Sequence, residues 1–543
     1  MSFIFQLVMV LSAAATSALP RTVSCGTQDL TNAALYNSYF LQSPLGADNI
    51  GSLNFELLAA EAWLAWQAID LGEFRVAVST IEDGVNSAPS GGSLNTLKSL
   101  WYTTWFDLAT NVRLQAQSGI ITYHNATAMH MYFRAWAYDF LASRLKSSWS
   151  EPAALESFNR SVSSFQSALE AAPYPSQPCT WTSVPYHPIG NPNATVGLHA
   201  YWCRPSPGQQ TTGALVLAMS GYDGSAEVAV FEQAMGAVAR GHHVLVFDGP
   251  GQGSVARVLG LTFTTEMGHV AAQVEAHGRL LMQQAGATTV GVAMWGRSFG
   301  GFLAPKAFSQ LPTMTALVAN GGIDDFYHGV MCDLPSSLRD LYTSGNYTRF
   351  NEYMEFGAKT SLALTSLLMH GALGFGTSTP SELYDAFSAY RLGPADYAAI
   401  GSRPVFVNEP GLDGLLANQS EVFVAALRVP WSEKSVFTPQ SGLRGAGLHS
   451  SVGSTSYAPD MILDFLDSVF PLLGKVEAAS SSGVTILISA LVGALVASLL
   501  TGMGCILIRP KASPLLHEHG VQGSIRGEGP AISVDGTVIS PRT

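Results

Sequence analysis

The stretch that decides the fold reads Gly291-Val292-Ala293-Met294-Trp295-Gly296-Arg297-Ser298-Phe299-Gly300-Gly301-Phe302-Leu303-Ala304. Its apolar start is typical of a buried strand, and its end can begin a helix. Gly-x-Ser-x-Gly between a strand and a helix is the context of a nucleophile elbow, a turn that exposes a serine hydroxyl. Gly296 and Gly300 suit a tight turn because they have no Cβ. We therefore predict Ser298 as a nucleophile, against the alternative of an ordinary Gly/Ser loop.

Short apolar or β-branched runs recur on both sides of this stretch, and helical stretches separate most of them. This alternation is typical of βαβ units and predicts an α/β fold with a mainly parallel sheet. The predicted strands are 181–186, 196–202, 214–219, 243–247, 290–295, 315–320, 404–408 and 435–438.

The chain before the first strand has a helical pattern instead. Apolar residues at three-to-four spacing predict helices at 55–71, 94–117, 126–145 and 152–171. A Pro-rich segment at 173–178 ends the pattern, which gives a helical domain over 19–172 and a sheet domain over 173–470. Within the sheet domain, residues 321–403 are too long for a loop. We expect them to form a lid insertion, helical around 350–373.

A serine hydroxyl needs a base, and the base needs an acid that fixes its tautomer. His449 follows the last predicted strand, where the base of such a fold belongs. The acid is expected after the strand 404–408, and Asp413 is our choice. Glu409 lies closer to the strand end and stays an alternative. A third option is the pair that follows the strand 315–320, Asp324 and Asp325.

The negative charge that forms during attack on a carbonyl needs backbone N–H donors. One donor is expected from Phe299, directly after the nucleophile. The other is expected from the glycine-containing loop after the strand 214–219. There Tyr222 is the favoured donor and Asp223 is the alternative.

The composition excludes several classes of protein. A formal net charge of −12 leaves no basic stripe that would bind nucleic acid. No clustered Cys/His spacing indicates a metal site, and no phosphate-binding loop is present. We expect neither a metal nor a cofactor.

Two terminal segments predict export and membrane attachment. Residues 1–18 are uncharged and apolar and end in small residues, like a signal peptide without a basic start. Residues 484–508 carry no charge and would span about 37 Å as a helix, enough to cross a bilayer. Arg509 and Lys511 follow, which places the C-terminus in the cytoplasm. Residues 471–483 would be a linker and 509–543 a disordered tail. That tail disfavours a GPI signal.

Glycosylation signals and cysteines agree with an exported chain. Asn-x-Ser/Thr sequons occur at Asn125, Asn159, Asn193, Asn346 and Asn418. Of five cysteines, Cys505 lies in the predicted span, and the remaining four allow two disulfides. Cys179 and Cys203 flank two neighbouring predicted strands, so they are the favoured pair.

These motifs together resemble the α/β-hydrolase superfamily: Ser-Gly-Tyr-Asp-Gly at 220–224, Phe-Asp-Gly-Pro-Gly-Gln-Gly at 247–253, Gly-Arg-Ser-Phe-Gly-Gly at 296–301, and the late Gly-x-His. More narrowly, the chain resembles the 2,6-dihydroxypseudooxynicotine hydrolase-like branch, which includes fungal hydrolases that shorten polyketides. That branch carries a helical N-terminal cap, and residues 130–138 are similar to its arginine-bearing helix. The resemblance implies that Ser298, Asp413 and His449 form the triad.

We expect an extracytoplasmic serine hydrolase that acts on an ester or ketone C–C bond of a small hydrophobic or aromatic substrate. The alternative is a non-catalytic hydrolase-like ectodomain for binding or sensing, which usually lacks a triad residue. A prolyl-oligopeptidase-like peptidase would need an N-terminal propeller, and residues 20–180 show no blade repeats.

Overall fold

The computed structural model describes residues 47–473, apart from 90–92, 119–124, 147, 149–150, 414–415, 417, 428–434 and 441–444. The predicted signal peptide, membrane span and tail, together with Cys25 and Cys505, lie outside these residues. In the part of the chain that is described, no helix is both long and apolar enough to cross a membrane.

One eight-stranded sheet forms the centre of the fold, in the order β1-β2-β4-β3-β5-β6-β7-β8. The strand β2 pairs antiparallel with both β1 and β4, and all other neighbours are parallel. The strands are β1 (Cys179–Tyr186), β2 (Val196–Cys203), β3 (Ala214–Met219), β4 (His243–Phe247), β5 (Gly291–Arg297), β6 (Ala316–Asn320), β7 (Val405–Pro410) and β8 (Val436–Gln440).

Burial follows the position of each strand in the sheet. Every residue of β3, β4 and β6 is buried, because helices cover both faces of a parallel sheet. The strand β1 at the edge alternates between buried and accessible residues, and Trp181 there is 52% exposed. Each fully buried Val or Leu contributes about 1.5–3 kcal/mol, so the central strands form much of the core.

Helices on both faces complete the sheet domain. The first of these, α6 (Ala226–Ala229), continues through a π turn (Val230–Ala234) into α7 (Met235–Ala239). The other helices outside the insertion are α8 (Met267–Gln284), α9 (Gly300–Gln310), α16 (Gln419–Ala426) and α17 (Tyr457–Val469).

Within the described part of the chain, five α-helices precede the sheet and form the cap: α1 (Ala47–Glu61), α2 (Leu71–Ser87), α3 (Leu94–Gln117), α4 (Asn125–Arg144) and α5 (Pro152–Ala171). Their core is aromatic, with Trp101, Trp105 and Trp136 fully buried. The rings of Trp136 and Phe165 lie edge to face at 5.3 Å, a favourable aromatic arrangement.

The predicted helix 55–71 was wrong in its extent. After α1 the chain makes one 3-10 segment, and Gln67 then adopts a left-handed backbone with φ 56°. A new helix begins at Leu71, because the Asp70 side chain accepts the Glu73 N–H at 3.0 Å as an N-cap. The sequence prediction missed α2 altogether.

The insertion between β6 and β7 was predicted to be helical around 350–373, and its helices extend well beyond that range. It contains six helices: α10 (Phe326–Cys332), α11 (Ser336–Thr343), α12 (Tyr347–Ala358), α13 (Leu362–Phe375), α14 (Pro380–Phe387) and α15 (Pro394–Ile400). Among them, α13 contacts α1 of the cap. The insertion and the cap are therefore in contact.

The structure has a disulfide between Cys179 and Cys203, the favoured pair. The two residues are direct partners in the β1–β2 register, so the bond covalently links the edge strand β1 to β2. Cys332 is also disulfide-bonded. Of the sequon residues, Asn125, Asn159, Asn193 and Asn346 are exposed, and Asn418 is half-buried.

Candidate active site

Ser298 lies at a sharp turn between the end of β5 and the start of α9, with φ 59°. A Cβ at Gly296 would lie 1.9 Å from the Gly300 carbonyl oxygen, and a Cβ at Gly300 would lie 2.6 Å from the Ser220 carbonyl oxygen. Only glycine fits at either position. The two glycines therefore permit the strained backbone that lifts the serine hydroxyl off the sheet.

His449 and Asp413 lie in line with the serine hydroxyl. Ser298 Oγ is 2.7 Å from His449 Nε2, and His449 Nδ1 is 2.7 Å from Asp413 Oδ2. The Asp413 side chain is 3% exposed, so solvent barely competes for this contact. The three residues that the sequence predicted as a triad are thus brought together, and their catalytic role remains a prediction.

The observed polar contacts of the alternative acids are with residues other than His449. Glu409 is buried at the end of β7, and burial raises its pKa to about 7, with Asp413 adding to the rise. The Asp324 carboxylate accepts a hydrogen bond from the Tyr397 hydroxyl. Asp325 caps α10 through the His328 N–H at 2.9 Å and pairs with Arg391 at 2.6 Å.

The loop 220–225 passes directly beside the nucleophile. A Cβ at Gly221 would lie 2.6 Å from Ser298 Cβ and 2.8 Å from its Oγ. Among the residues described, the amide N–H groups of Tyr222 and Phe299 donate no hydrogen bond to the protein. Two unused donors next to a serine match the requirement for binding an oxyanion.

A buried amide network holds the loop that carries His449. Asn408 Nδ2, at the end of β7, donates to Asn320 Oδ1 at 2.9 Å and to Ser451 Oγ at 2.8 Å. Asn320 Nδ2, at the end of β6, donates to the Ser450 carbonyl oxygen at 3.3 Å. Ser450 and Ser451 both have positive φ, so the network stabilises a backbone that would otherwise be unfavourable.

Aromatic side chains from three parts of the chain surround Tyr222. Its ring lies 6.2 Å from Phe299, and its hydroxyl donates to the Leu367 carbonyl oxygen of α13 at 2.8 Å. The other rings within 6.5 Å of Tyr222 are Phe263, Phe326, His370, Phe375 and Phe387. The surroundings of the candidate site are therefore largely apolar and aromatic, on the side that the insertion covers.

The sequence prediction missed two cap residues near the site. The Phe55 ring of α1 lies 6.5 Å from the His449 ring. Arg144, the last residue of α4, contacts Asp223, next to Tyr222. The available signal for Arg144 was a charged residue shortly after the apolar stretch Phe140-Leu141-Ala142 of a predicted helix. Arg134, in the helix that prompted the resemblance, instead lies 3.4 Å from Glu73 of α2.

No group of three or more His, Cys, Asp or Glu side chains within the described ranges has the arrangement of a metal site. The residues that do come together here are a serine, a histidine and a carboxylate, beside two amide donors.

Comparisons with known proteins find similar hydrolases. The 20-hydroxy-prefusarin hydrolase FUS2 of Gibberella moniliformis is 24% identical over 438 residues, which cover 77% of this chain and 96% of the relative. Hydrolase acrC of Aspergillus aculeatus is 23% identical over 438 residues, with the same coverage of 77% and 96%. The structure of 2,6-dihydroxy-pseudo-oxynicotine hydrolase superposes with a TM-score of 0.53 at 16% identity, covering 76% of this chain and 96% of that one.

The chain is a hydrolase with the α/β-hydrolase fold. The structural neighbour shows the fold, and the curated relatives confirm the resemblance to the branch that holds these fungal hydrolases. No protein-family model matches the chain.

Proposed function

We propose that this α/β hydrolase cleaves an ester or a ketone C–C bond of a hydrophobic or aromatic substrate through a covalent acyl-enzyme. The observation that carries the proposal is the pair of 2.7 Å contacts that join Ser298 to His449 and His449 to Asp413. This is the order of nucleophile, base and acid that activates a serine.

In the first half of the reaction, Ser298 Oγ attacks the carbonyl carbon while His449 Nε2 takes the hydroxyl proton. Asp413 accepts the Nδ1–H and stabilises the imidazolium that forms. The amides of Phe299 and Tyr222 bind the oxyanion of the tetrahedral intermediate. His449 then returns the proton to the leaving alkoxide, or to the leaving carbanion in ketone cleavage.

In the second half, His449 takes a proton from water, which attacks the acyl-serine carbonyl. Collapse of the second tetrahedral intermediate breaks the bond to Ser298 Oγ, and the oxygen regains its proton from the imidazolium. The products are a carboxylic acid and the alcohol or the protonated carbon fragment. Water is consumed, and the enzyme returns to its starting state.

The substrate class rests on the walls of the site. The aromatic rings around Tyr222 and the apolar insertion favour an apolar or aromatic acyl compound over a sugar or a nucleotide. Two similar proteins have names that state their substrates as 20-hydroxy-prefusarin and 2,6-dihydroxy-pseudo-oxynicotine. Such names support a small organic substrate for this chain too.

The compartment is part of the proposal. We infer an ectodomain outside the cell or in the lumen, with residues 1–18 as a signal peptide and residues 484–508 as a single membrane helix. The four exposed sequon residues and the disulfides support a chain that passes through an oxidising compartment.

Active-site labelling tests the proposed chemistry. A fluorophosphonate probe is expected to label the full chain, because an activated serine attacks phosphorus, and Ser298→Ala is expected to abolish labelling. Ser344→Ala, which changes an exposed helix-end serine, is the matched control and keeps full labelling.

Folded wild-type protein that stays unlabelled would contradict a serine hydrolase and favour a binding module. A panel of p-nitrophenyl esters and aryl ketones, measured against Ser298→Ala, then separates ester from C–C cleavage.

A further inference from the structure

Arg144 ends α4 in the interior, where it joins the cap to the sheet domain. Its side chain is 8% exposed. Nε and Nη2 donate to the two carboxylate oxygens of Glu56 in α1, at 3.0 and 2.9 Å. The opposite side of the guanidinium faces the loop 220–225 of the sheet domain. One planar cation thus connects two cap helices with the loop that passes Ser298.

The contacts with the loop hold both its backbone and a side chain. Nη1 donates to the Asp223 carbonyl oxygen at 3.0 Å, and Nη2 donates to the Asp223 carboxylate. Nη1 also lies 3.4 Å from His370 Nε2 in α13. Bidentate contact of this kind fixes direction as well as distance, because the guanidinium is rigid and planar.

The charges around Arg144 favour a permanent connection. Burial alone would raise the pKa of Asp223, but the Arg144 guanidinium holds that pKa well below its usual range. Burial lowers the pKa of His370, and the nearby Arg144 cation lowers it further. Near neutral pH, Asp223 is therefore ionised and His370 is neutral, so the imidazole adds no second positive charge.

The loop that Arg144 holds contains the candidate oxyanion donor. Asp223 follows Tyr222 directly, and Gly221 lies against the Ser298 side chain. A shift of the Asp223 backbone would turn the Tyr222 amide away from the serine. We propose that Arg144 is a positioning residue that holds the loop 220–225 against Ser298 and so directs the Tyr222 amide.

This inference rests on the proposed function and adds one consequence to it. The cap acts on the chemical step as well as on substrate binding, although Arg144 does not contact the serine. A misplacement of about 1 Å costs up to about a hundredfold in rate. Loss of one oxyanion donor costs about 10² to 10³ in kcat.

A second, half-buried arginine of the cap provides the matched control. Arg113 pairs with the Asp139 carboxylate and donates from Nε to Ser164 Oγ at 3.0 Å. All of these partners belong to α4 and α5 of the cap. Arg113→Lys and Arg144→Lys therefore make the same chemical change, and only the second affects the loop.

The experiment measures kcat and KM for p-nitrophenyl butyrate with the full chain, together with thermal unfolding. Arg144→Lys is expected to lower kcat at least tenfold while KM changes less than about threefold, because lysine cannot make the planar contacts. Arg113→Lys is expected to lower the Tm while kcat stays within about twofold of wild type. A kcat for Arg144→Lys within twofold of the Arg113→Lys value would overturn the inference.

A second variant covers the case in which Arg144→Lys does not fold. Asp223→Asn alone is expected to lower kcat, because it weakens the contact by which Arg144 holds the loop. Where Arg144→Lys does fold, the losses in the double variant should be less than additive, because both substitutions remove the same interaction. Wild-type kcat in a folded Asp223→Asn variant would overturn the inference. Neither result touches the proposed function, which fails only if wild type is inactive or Ser298→Ala keeps its activity.

Discussion

Gly221 lies against the side chain of Ser298, at a distance that leaves no room for a methyl group. A Cβ at this position would approach the serine Oγ to 2.8 Å and the Arg297 carbonyl oxygen to 2.9 Å. Real Cβ atoms avoid such distances, so a substitution must displace either the loop or the nucleophile. Both displacements would disturb the reaction.

We predict that Gly221→Ala lowers kcat by about 10² or more, since it moves the serine or the oxyanion donor. Gly190→Ala is the matched control, because its Cβ would meet nothing within 4 Å. The measurement compares kcat for ester hydrolysis by the two variants at equal concentrations of folded protein. Equal kcat values would contradict the prediction, because they would show that the loop can accommodate the Cβ without a loss of catalysis.

At the residue scale, the sequence predicted positions that local patterns define. Ser298 has Gly-x-Ser-x-Gly around it, and His449 and Asp413 follow predicted strands. Arg144 and Phe55 could not be placed, because their contacts depend on how the cap packs on the sheet. The partner of Arg144 in the loop, Asp223, is 79 positions away along the chain.

At the scale of elements, the carboxyl end of β7 carries several functions at once. Asn408 holds the histidine loop, Glu409 is buried, and Asp413 follows three positions after the strand ends. Among the described residues, Glu409 Oε2 has no hydrogen-bond partner. A buried carboxyl group in that situation is more stable when protonated.

This gives a pH-dependent prediction for stability. Burial raises the pKa of Glu409 to about 7, above the unfolded value of about 4.3. Between about pH 4.5 and 7 the folded chain therefore binds the extra proton, and this contribution makes the free energy of unfolding fall as the pH rises. Glu409→Gln should remove a slope of up to about 1.4 kcal/mol per pH unit in that window.

Urea unfolding at pH 5, 6 and 7 measures that slope. Glu352→Gln removes one negative charge from an exposed position of α12 and controls for net charge. Parallel stability curves for wild type and Glu409→Gln would contradict the prediction.

Helices and strands were predicted best where the periodicity of apolar residues runs over the whole element. The bounds of α3, α5, β3 and β4 coincide with the prediction. The break at Gln67 was missed because neither Gly nor Pro marks it. Asp70 caps the start of α2, but it is a single signal within a segment whose other residues favour a continuous helix.

At the scale of the whole molecule, the segments that decide the compartment lie outside the described residues. The sheet and its helical insertion follow from alternation along the sequence, which is a property of the folded domain. Compartment rests instead on hydrophobic length and flanking charge at the two termini.

We predict that the full chain sediments with membranes and resists carbonate extraction, whereas a chain that ends at residue 473 is released into the medium. Endoglycosidase treatment should lower the apparent mass of both. A variant with glutamine at Asn125, Asn159, Asn193, Asn346 and Asn418 is the control that shows no such decrease. Full chain in the carbonate supernatant would contradict a membrane helix.

The contact between Phe55 and the His449 ring has a consequence for protein engineers. A chimera that receives a foreign cap to accept a new compound also receives a new neighbour for the imidazole. Exchanging the cap would therefore change the turnover rate and the substrate selectivity at the same time. A library confined to the insertion α10–α15 leaves that neighbour in place.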